Sequence, residues 1–143
     1  MPSRSFPAYA ASVPTARGYV TDLLDGWPGQ LQETAALLAS ELATNAVRHG
    51  GGHDFDVSVR FGPGAQELWV GVTDRGTGSP RARRPPVTDE HGRGLQLVGL
   101  LASRWGVRSS RDSDAKTVWF ELGPVPAPRQ PDGPMRREPG PTT

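Results

Sequence analysis

Apolar residues in the first half of the chain recur with the period of an α-helix. Five of them are three or four residues apart, which is the spacing of a helix that buries one stripe: Leu31, Ala35, Leu38, Leu42 and Ala46. The pattern predicts a long helix from about Gln30 to His49. Gly50, Gly51 and Gly52 follow it and predict a left-handed turn just past the helix end.

The segment before this helix predicts a shorter one. Ser12 to Ala16 has the composition of a helix start, with a serine near the N-cap and Pro14 in the first turn. Trp27, Pro28 and Gly29 would break the helix, so we expect it to run from about Ser12 to about Trp27. Residues 4–13 suit either an edge strand or an anchoring arm.

After the glycine run the period changes from helical to alternating. Segments 54–61 and 68–73 alternate apolar and polar residues, which predicts two half-buried strands joined as an antiparallel hairpin. A helical pattern resumes at about 95–103, and further strands are predicted at about 105–111 and 117–122. The predicted fold class is α/β (α+β): a two-layer sandwich in which a mixed, mostly antiparallel sheet carries three helices on one face.

Composition limits what such a domain does. The 143 residues suit one domain, and a net charge of +1 argues against a protein built mainly to bind nucleic acid. Without cysteine there is no disulfide, thiolate metal site or cysteine catalysis. The apolar runs are short, so we expect no membrane span and a cytoplasmic location. Residues 123–143 contain seven prolines and are expected to be a disordered tail beyond a domain at 1–122.

Three polar residues are not needed to build these elements. Glu41 and Asn45 are four residues apart, so they lie one turn from each other on one edge of the long helix. They form either a solvated edge or part of a site. Asp74 has the same phase as Leu68, Val70 and Val72, so its carboxylate points to the buried side, where an acid is costly unless it is hydrogen-bonded. Alternatively, Asp74 lies past the strand end and caps a turn.

Residues 75–93 hold five arginines, and a glycine pair lies at each end of this segment. Gly76 and Gly78 follow Asp74 as the chain leaves a strand, and Gly92 and Gly94 precede Leu95 as it enters a helix. Glycines before a helix allow backbone N–H groups to approach an anion closely. Neither spacing is that of a Walker loop or a dinucleotide fingerprint.

The order of these motifs is more specific than any one of them. Glu-x-x-x-Asn on a helix, Asp-x-Gly-x-Gly after a strand and Gly-x-Gly-Leu into a helix together resemble the Bergerat nucleotide-binding fold of gyrase, chaperone ATPases, mismatch-repair ATPases and sensor histidine kinases. The resemblance covers about residues 5–122. The run Ser-Glu-Leu-Ala-Thr-Asn-Ala-Val-Arg-His-Gly at 40–50 and the strand Lys-Thr-Val-Trp-Phe-Glu-Leu at 116–122 look most like the small stand-alone serine kinases that act as anti-sigma factors.

This resemblance implies a role for each motif residue and the cofactors ATP and Mg²⁺. Asn45 would supply a side-chain oxygen to Mg²⁺, Glu41 would act as the base that orients the attacking hydroxyl, and Asp74 would accept a hydrogen bond from the adenine amino group. The remaining implied nucleotide contacts lie near the base (Gly76, Gly78) and at the phosphates and the helix start that follows them (Gly92, Arg93, Gly94, Leu95). The segment between the glycine pairs would form a lid.

The chain also departs from the pattern of these relatives. Many of them carry Gly-Thr where this chain has Ala115-Lys116. Lys116 shares the phase of the buried residues of its strand, so it either reaches the nucleotide or extends from the sheet edge into solvent. The lid segment from Ser79 to Val87 is unlike the threonine-rich lid of the best-known relatives.

The implied function is that of a regulatory ATP-dependent protein serine/threonine kinase. Its partners would be an antagonist protein, a sigma factor or both, with no direct nucleic-acid or membrane partner and with a homodimer allowed. The unusual lid favours an alternative, in which the chain is an interaction module that senses ATP or ADP and has little or no kinase activity.

Overall fold

A computed structural model describes residues 1–62, 67–75, 96–109 and 115–123. The elements follow the chain as β1 (Ser3–Phe6), α1 (Ser12–Leu23), α2 (Gly29–His49), β2 (Phe55–Phe61), β3 (Leu68–Asp74), α3 (helical residues 96–101), β4 (Arg104–Ser109) and β5 (Lys116–Leu122). The arm at the amino terminus is therefore an edge strand. No helix among these residues is both long enough and apolar enough to cross a membrane.

The strands form one sheet in the order β1-β2-β3-β5-β4. Each neighbouring pair is antiparallel, so the predicted two-layer α+β architecture is confirmed. The expected parallel component is not found in the described pairings. β4 and β5 pair as antiparallel neighbours, and β5 inserts beside β3, which places the ends of β3 and β5 next to each other.

The core lies between α2 and the sheet. α2 buries a stripe along its length, made of Ala35, Leu38, Ala39, Leu42, Ala43 and Ala46, which packs on the central strands. The strand residues beneath it alternate as the sequence predicts, with Phe55, Val57 and Val59 from β2 at 1% exposure or less. α1 packs beside α2, and the Arg17 guanidinium donates a 3.0 Å hydrogen bond from Nη1 to Ser40 Oγ.

The opposite face of the sheet carries two stacked tryptophans. The rings of Trp69 on β3 and Trp119 on β5 are 6.4 Å apart, and the guanidinium of Arg60 lies 4.5 Å from the Trp69 ring centroid. These contacts bury Trp69 to 8% exposure, although the helices lie on the other side. β3 is therefore buried on both faces over most of its length, although an antiparallel sheet often has one face in solvent.

Two details of the helix ends differ from the sequence expectation. α1 ends at Leu23 rather than near Trp27, because the chain turns through Gly26 at a φ of 90°. Ser12 lies inside α1 and makes no capping hydrogen bond. The left-handed turn predicted just past α2 is confirmed: Gly51 and Gly52 have φ values of 75° and 86°, whereas Gly50 has a φ of −88°.

Candidate functional site

Asp74 is a buried acid at the last position of β3. Its residue exposure is 3%, and it pairs in register with Phe55 on β2 and Lys116 on β5. The strand thus continues through Asp74, and the carboxylate takes the buried phase predicted from the alternation rather than capping a turn. A carboxylate in this position requires polar partners.

Lys116 supplies one such partner. Its Nζ lies 3.9 Å from Asp74 Oδ2, and the two side chains are 24% and 4% exposed. The two interpretations of the only lysine in the chain, contact with the nucleotide and extension from the sheet edge into solvent, both stay predictions. The ammonium is held beside the buried carboxylate, on the helix side of the sheet.

Gly50 brings the end of α2 against Asp74. A Cβ placed on Gly50 would lie 3.2 Å from Asp74 Cβ and 2.5 Å from the Ala46 carbonyl oxygen, and the Gly50 N–H donates to that oxygen at 2.8 Å. The backbone φ is ordinary, so glycine is required by lack of space rather than by its conformational freedom. The severe clash would be with the Ala46 carbonyl of the same helix, and the approach of β3 at Asp74 narrows the space further.

Replacing Gly50 with alanine is expected to lower the free energy of unfolding by about 1–3 kcal/mol, because either the helix end or β3 must shift to accept the methyl group. Chemical denaturation measures this change. The matched control is Gly18→Ala within α1, where an added Cβ meets nothing within 4 Å. That change is expected to stabilise the protein by about 0.5–1 kcal/mol. Equal stability of the two variants would contradict the close approach at Gly50.

Glu41 and Asn45 lie on the same helix, before this junction. Asn45 precedes Gly50 by five residues, or about 7.5 Å of helix axis, and Glu41 by nine, or about 13.5 Å. Both are partly buried, beside the fully buried Leu42 and Ala46. Neither side chain forms a hydrogen bond or ion pair with another residue in the described ranges. Among the described residues, no side chain competes with a ligand for their polar atoms.

The chain that leaves β3 is anchored on the outer face of the sheet. The Arg75 guanidinium donates a 2.8 Å hydrogen bond from Nη2 to Asp56 Oδ2, and the Ser5 hydroxyl donates to the other oxygen of Asp56. Thr73 and Thr117 join β3 to β5 through a 2.6 Å hydrogen bond between their hydroxyls. Sequence reasoning missed these contacts and also the close approach of Gly50 to Asp74. The alternation does place Asp56, Thr73 and Thr117 on the outer face, but it does not identify their partners.

Six of the nine residues predicted to form the site lie outside the described ranges: Gly76, Gly78, Gly92, Arg93, Gly94 and Leu95. The same holds for the arginine-rich lid and for residues 124–143 of the predicted tail. The other three site residues are described. Asp74 lies against Gly50 at the end of α2, and Glu41 and Asn45 lie on α2.

The donor set constrains how a metal ion would be held. Among the described residues there is no group of three histidine, cysteine or carboxylate side chains that could hold one. The amide oxygen of Asn45 is a ligand suited to Mg²⁺, which usually keeps several waters and takes other ligands from nucleotide phosphates. The residues present therefore fit a metal ion that arrives with the nucleotide.

Comparison with known proteins shows the family of the chain. The sequence model of the histidine kinase-like ATPase domain family matches residues 6–122. This range covers every element from α1 to β5. The chain therefore belongs to the histidine kinase-like ATPase domain family, and this membership implies that it binds ATP. No curated protein matches the chain.

Proposed function

We propose that this chain is an ATP-dependent serine/threonine protein kinase of the anti-sigma-factor type. It would transfer the γ-phosphate of ATP to an antagonist protein and thereby control a sigma factor in the cytoplasm. The observation that best supports this is the meeting of the α2 end with the buried Asp74, on the helix that also carries Glu41 and Asn45. Family membership supports the binding of ATP.

Asp74 would recognise the adenine base of ATP. A buried carboxylate accepts a hydrogen bond from the exocyclic amino group of adenine, and hydrogen bonds to charged groups contribute about 1.5–3 kcal/mol. The low exposure of Asp74 strengthens this contact, since water competes little for the carboxylate.

Glu41 and Asn45 would serve phosphate transfer. When bound, Mg²⁺ neutralises charge on the phosphates, and the Asn45 amide oxygen would be its protein ligand. Glu41 would accept the proton of a serine or threonine hydroxyl as that oxygen forms a bond to the γ-phosphorus. The bond from the γ-phosphorus to the bridging oxygen breaks, and ADP leaves with the electron pair. No covalent intermediate with the protein is required.

Incubation with γ-labelled ATP, Mg²⁺ and candidate antagonist proteins encoded by neighbouring genes tests this function. We expect label on a serine or threonine of one antagonist, and we expect chelation of Mg²⁺ by EDTA to abolish the transfer. ATP binding is measured on the same preparation by calorimetry. Tight ATP binding without transfer to any of these antagonists would contradict the kinase.

That result would instead favour an ATP- or ADP-sensing interaction module. The lid sequence from Ser79 to Val87, which lacks the threonines of the best-known relatives, favours this second function. A sensor would bind its partner with an affinity that depends on the bound nucleotide and would leave the partner unlabelled. Partner pull-down in the presence of ATP or ADP distinguishes the two functions, and size-exclusion chromatography with light scattering tests whether the chain forms a homodimer.

A further inference from the structure

Lys116 lies where a nucleotide base would meet Asp74. It occupies the first position of β5, directly opposite Asp74 in the β3–β5 register. It shares the phase of Val118 and Phe120, both of which belong to the buried core. The ammonium is thus on the helix side of the sheet, whereas the neighbouring Thr117 hydroxyl bonds to Thr73 on the outer face.

The distance between the two charges leaves the ammonium able to bind a further group. At 3.9 Å, Nζ is within ion-pair range of Asp74 Oδ2 but beyond the usual 2.7–3.2 Å of an N–H···O hydrogen bond. An ammonium has three N–H donors, and among the described residues Asp74 is its only ion-pair partner. An acceptor on a ligand could therefore receive a hydrogen bond from Lys116 while Asp74 accepts one from the same ligand.

We propose that Lys116 determines the base specificity of this site, because with Asp74 it forms an adjacent hydrogen-bond donor and acceptor. This inference rests on the proposed binding of a purine at Asp74. The pair recognises a purine edge on which a donor and an acceptor are neighbours. Consequently the site accepts purines with a 6-carbonyl group as well as adenine.

The chemistry of the purines supports this assignment. On adenine the 6-amino donor is flanked by the ring acceptors N1 and N7, so Asp74 can accept from the amino group while Lys116 donates to a ring nitrogen. On hypoxanthine and guanine the N1–H donor lies beside the 6-carbonyl acceptor, so Asp74 can accept from N1–H while Lys116 donates to the carbonyl. A carboxylate without this ammonium would repel the carbonyl oxygen and favour adenine alone.

Binding of ATP and ITP to Lys116→Met tests the proposal. ITP differs from ATP only in carrying a 6-carbonyl and N1–H in place of the amino group and N1. The ratio of the ITP Kd to the ATP Kd is expected to rise about tenfold or more over wild type. Both nucleotides lose the hydrogen bond from Lys116, but only ITP is then left with a carbonyl oxygen that lies beside the Asp74 carboxylate without a donor and is repelled by it. Both nucleotides are measured by calorimetry on the same preparation, so a change in folded fraction affects them equally.

Two further variants sharpen the result. Lys116→Arg keeps the charge and the donors and should retain a ratio near that of wild type. Arg104→Met removes a charge from the neighbouring β4, where Arg104 Nη1 pairs with Glu121 at 3.5 Å, and should leave the ratio unchanged. If Lys116 only balanced the charge of Asp74, Lys116→Met would weaken ATP and ITP equally, and an unchanged ratio would overturn the proposal.

The proposed function and this inference fail in different ways. If the wild-type chain bound neither nucleotide, the purine site itself would be wrong and the specificity proposal would fall with it. If wild type bound ATP and the Lys116→Met ratio matched that of wild type, only the role of Lys116 would be wrong.

Discussion

Glutamine in place of Glu41 is expected to lower the rate of phosphate transfer by about 10²–10⁴-fold, the range over which general bases contribute. The amide keeps the size of the side chain but cannot accept the proton of the attacking hydroxyl. ATP affinity should change by less than about twofold, since the proposed base acts on the hydroxyl and not on the nucleotide. Transfer of label from γ-labelled ATP to the antagonist measures the rate, and calorimetry measures the affinity.

Glu33→Gln is the matched control for this change. Glu33 is exposed on the same helix, two turns before Glu41, and its replacement removes the same charge without touching the predicted site. Its transfer rate should equal that of wild type. If Glu41→Gln also transferred phosphate at the wild-type rate, Glu41 would not be the base. If it lost ATP binding instead, Glu41 would belong to the nucleotide contacts.

Asparagine in place of Asp74 is expected to weaken ATP binding by about 10–100-fold, which corresponds to the loss of a hydrogen bond to a charged group. The substitution preserves shape but replaces the carboxylate with a neutral amide, and it also leaves the Lys116 ammonium without its partner at 3.9 Å. Calorimetric titration with ATP and Mg²⁺ gives the affinity, and thermal melting of the same samples confirms that the variant is folded.

Asp56→Asn separates the role of Asp74 from a general effect of charge. Asp56 is on the adjacent β2, where it pairs in register with Thr73, and its carboxylate lies on the outer face with Ser5 and Arg75. Its replacement removes a contact that is partly exposed, which typically contributes little, and should leave ATP affinity near wild type. Equal loss of affinity in both variants would indicate that the adenine of ATP binds somewhere other than at Asp74.

Much of the fold was predictable because its signals are local. The spacing of Leu38, Leu42 and Ala46 predicts α2 and its buried stripe, and the alternation from Phe55 to Phe61 predicts β2. The bounds of β2 and β3 agree with the alternating segments to within one residue. The end of α1 agreed less well, because the turn at Gly26 depends on a left-handed backbone conformation that the local pattern does not specify.

The candidate site was likewise predictable only in part. The sequence by itself determined that Asp74 is in the buried phase of its strand and that Glu41 and Asn45 share one edge of α2, because both follow from the periods of strand and helix. Only the tertiary structure decided what these residues meet. The insertion of β5 beside β3 places Lys116 opposite Asp74, and the packing of α2 on the sheet brings Gly50 against the same carboxylate-bearing residue. These contacts join residues that are far apart in sequence. They are fixed by the order of the strands and by the packing of the helix on the sheet, which no local period encodes.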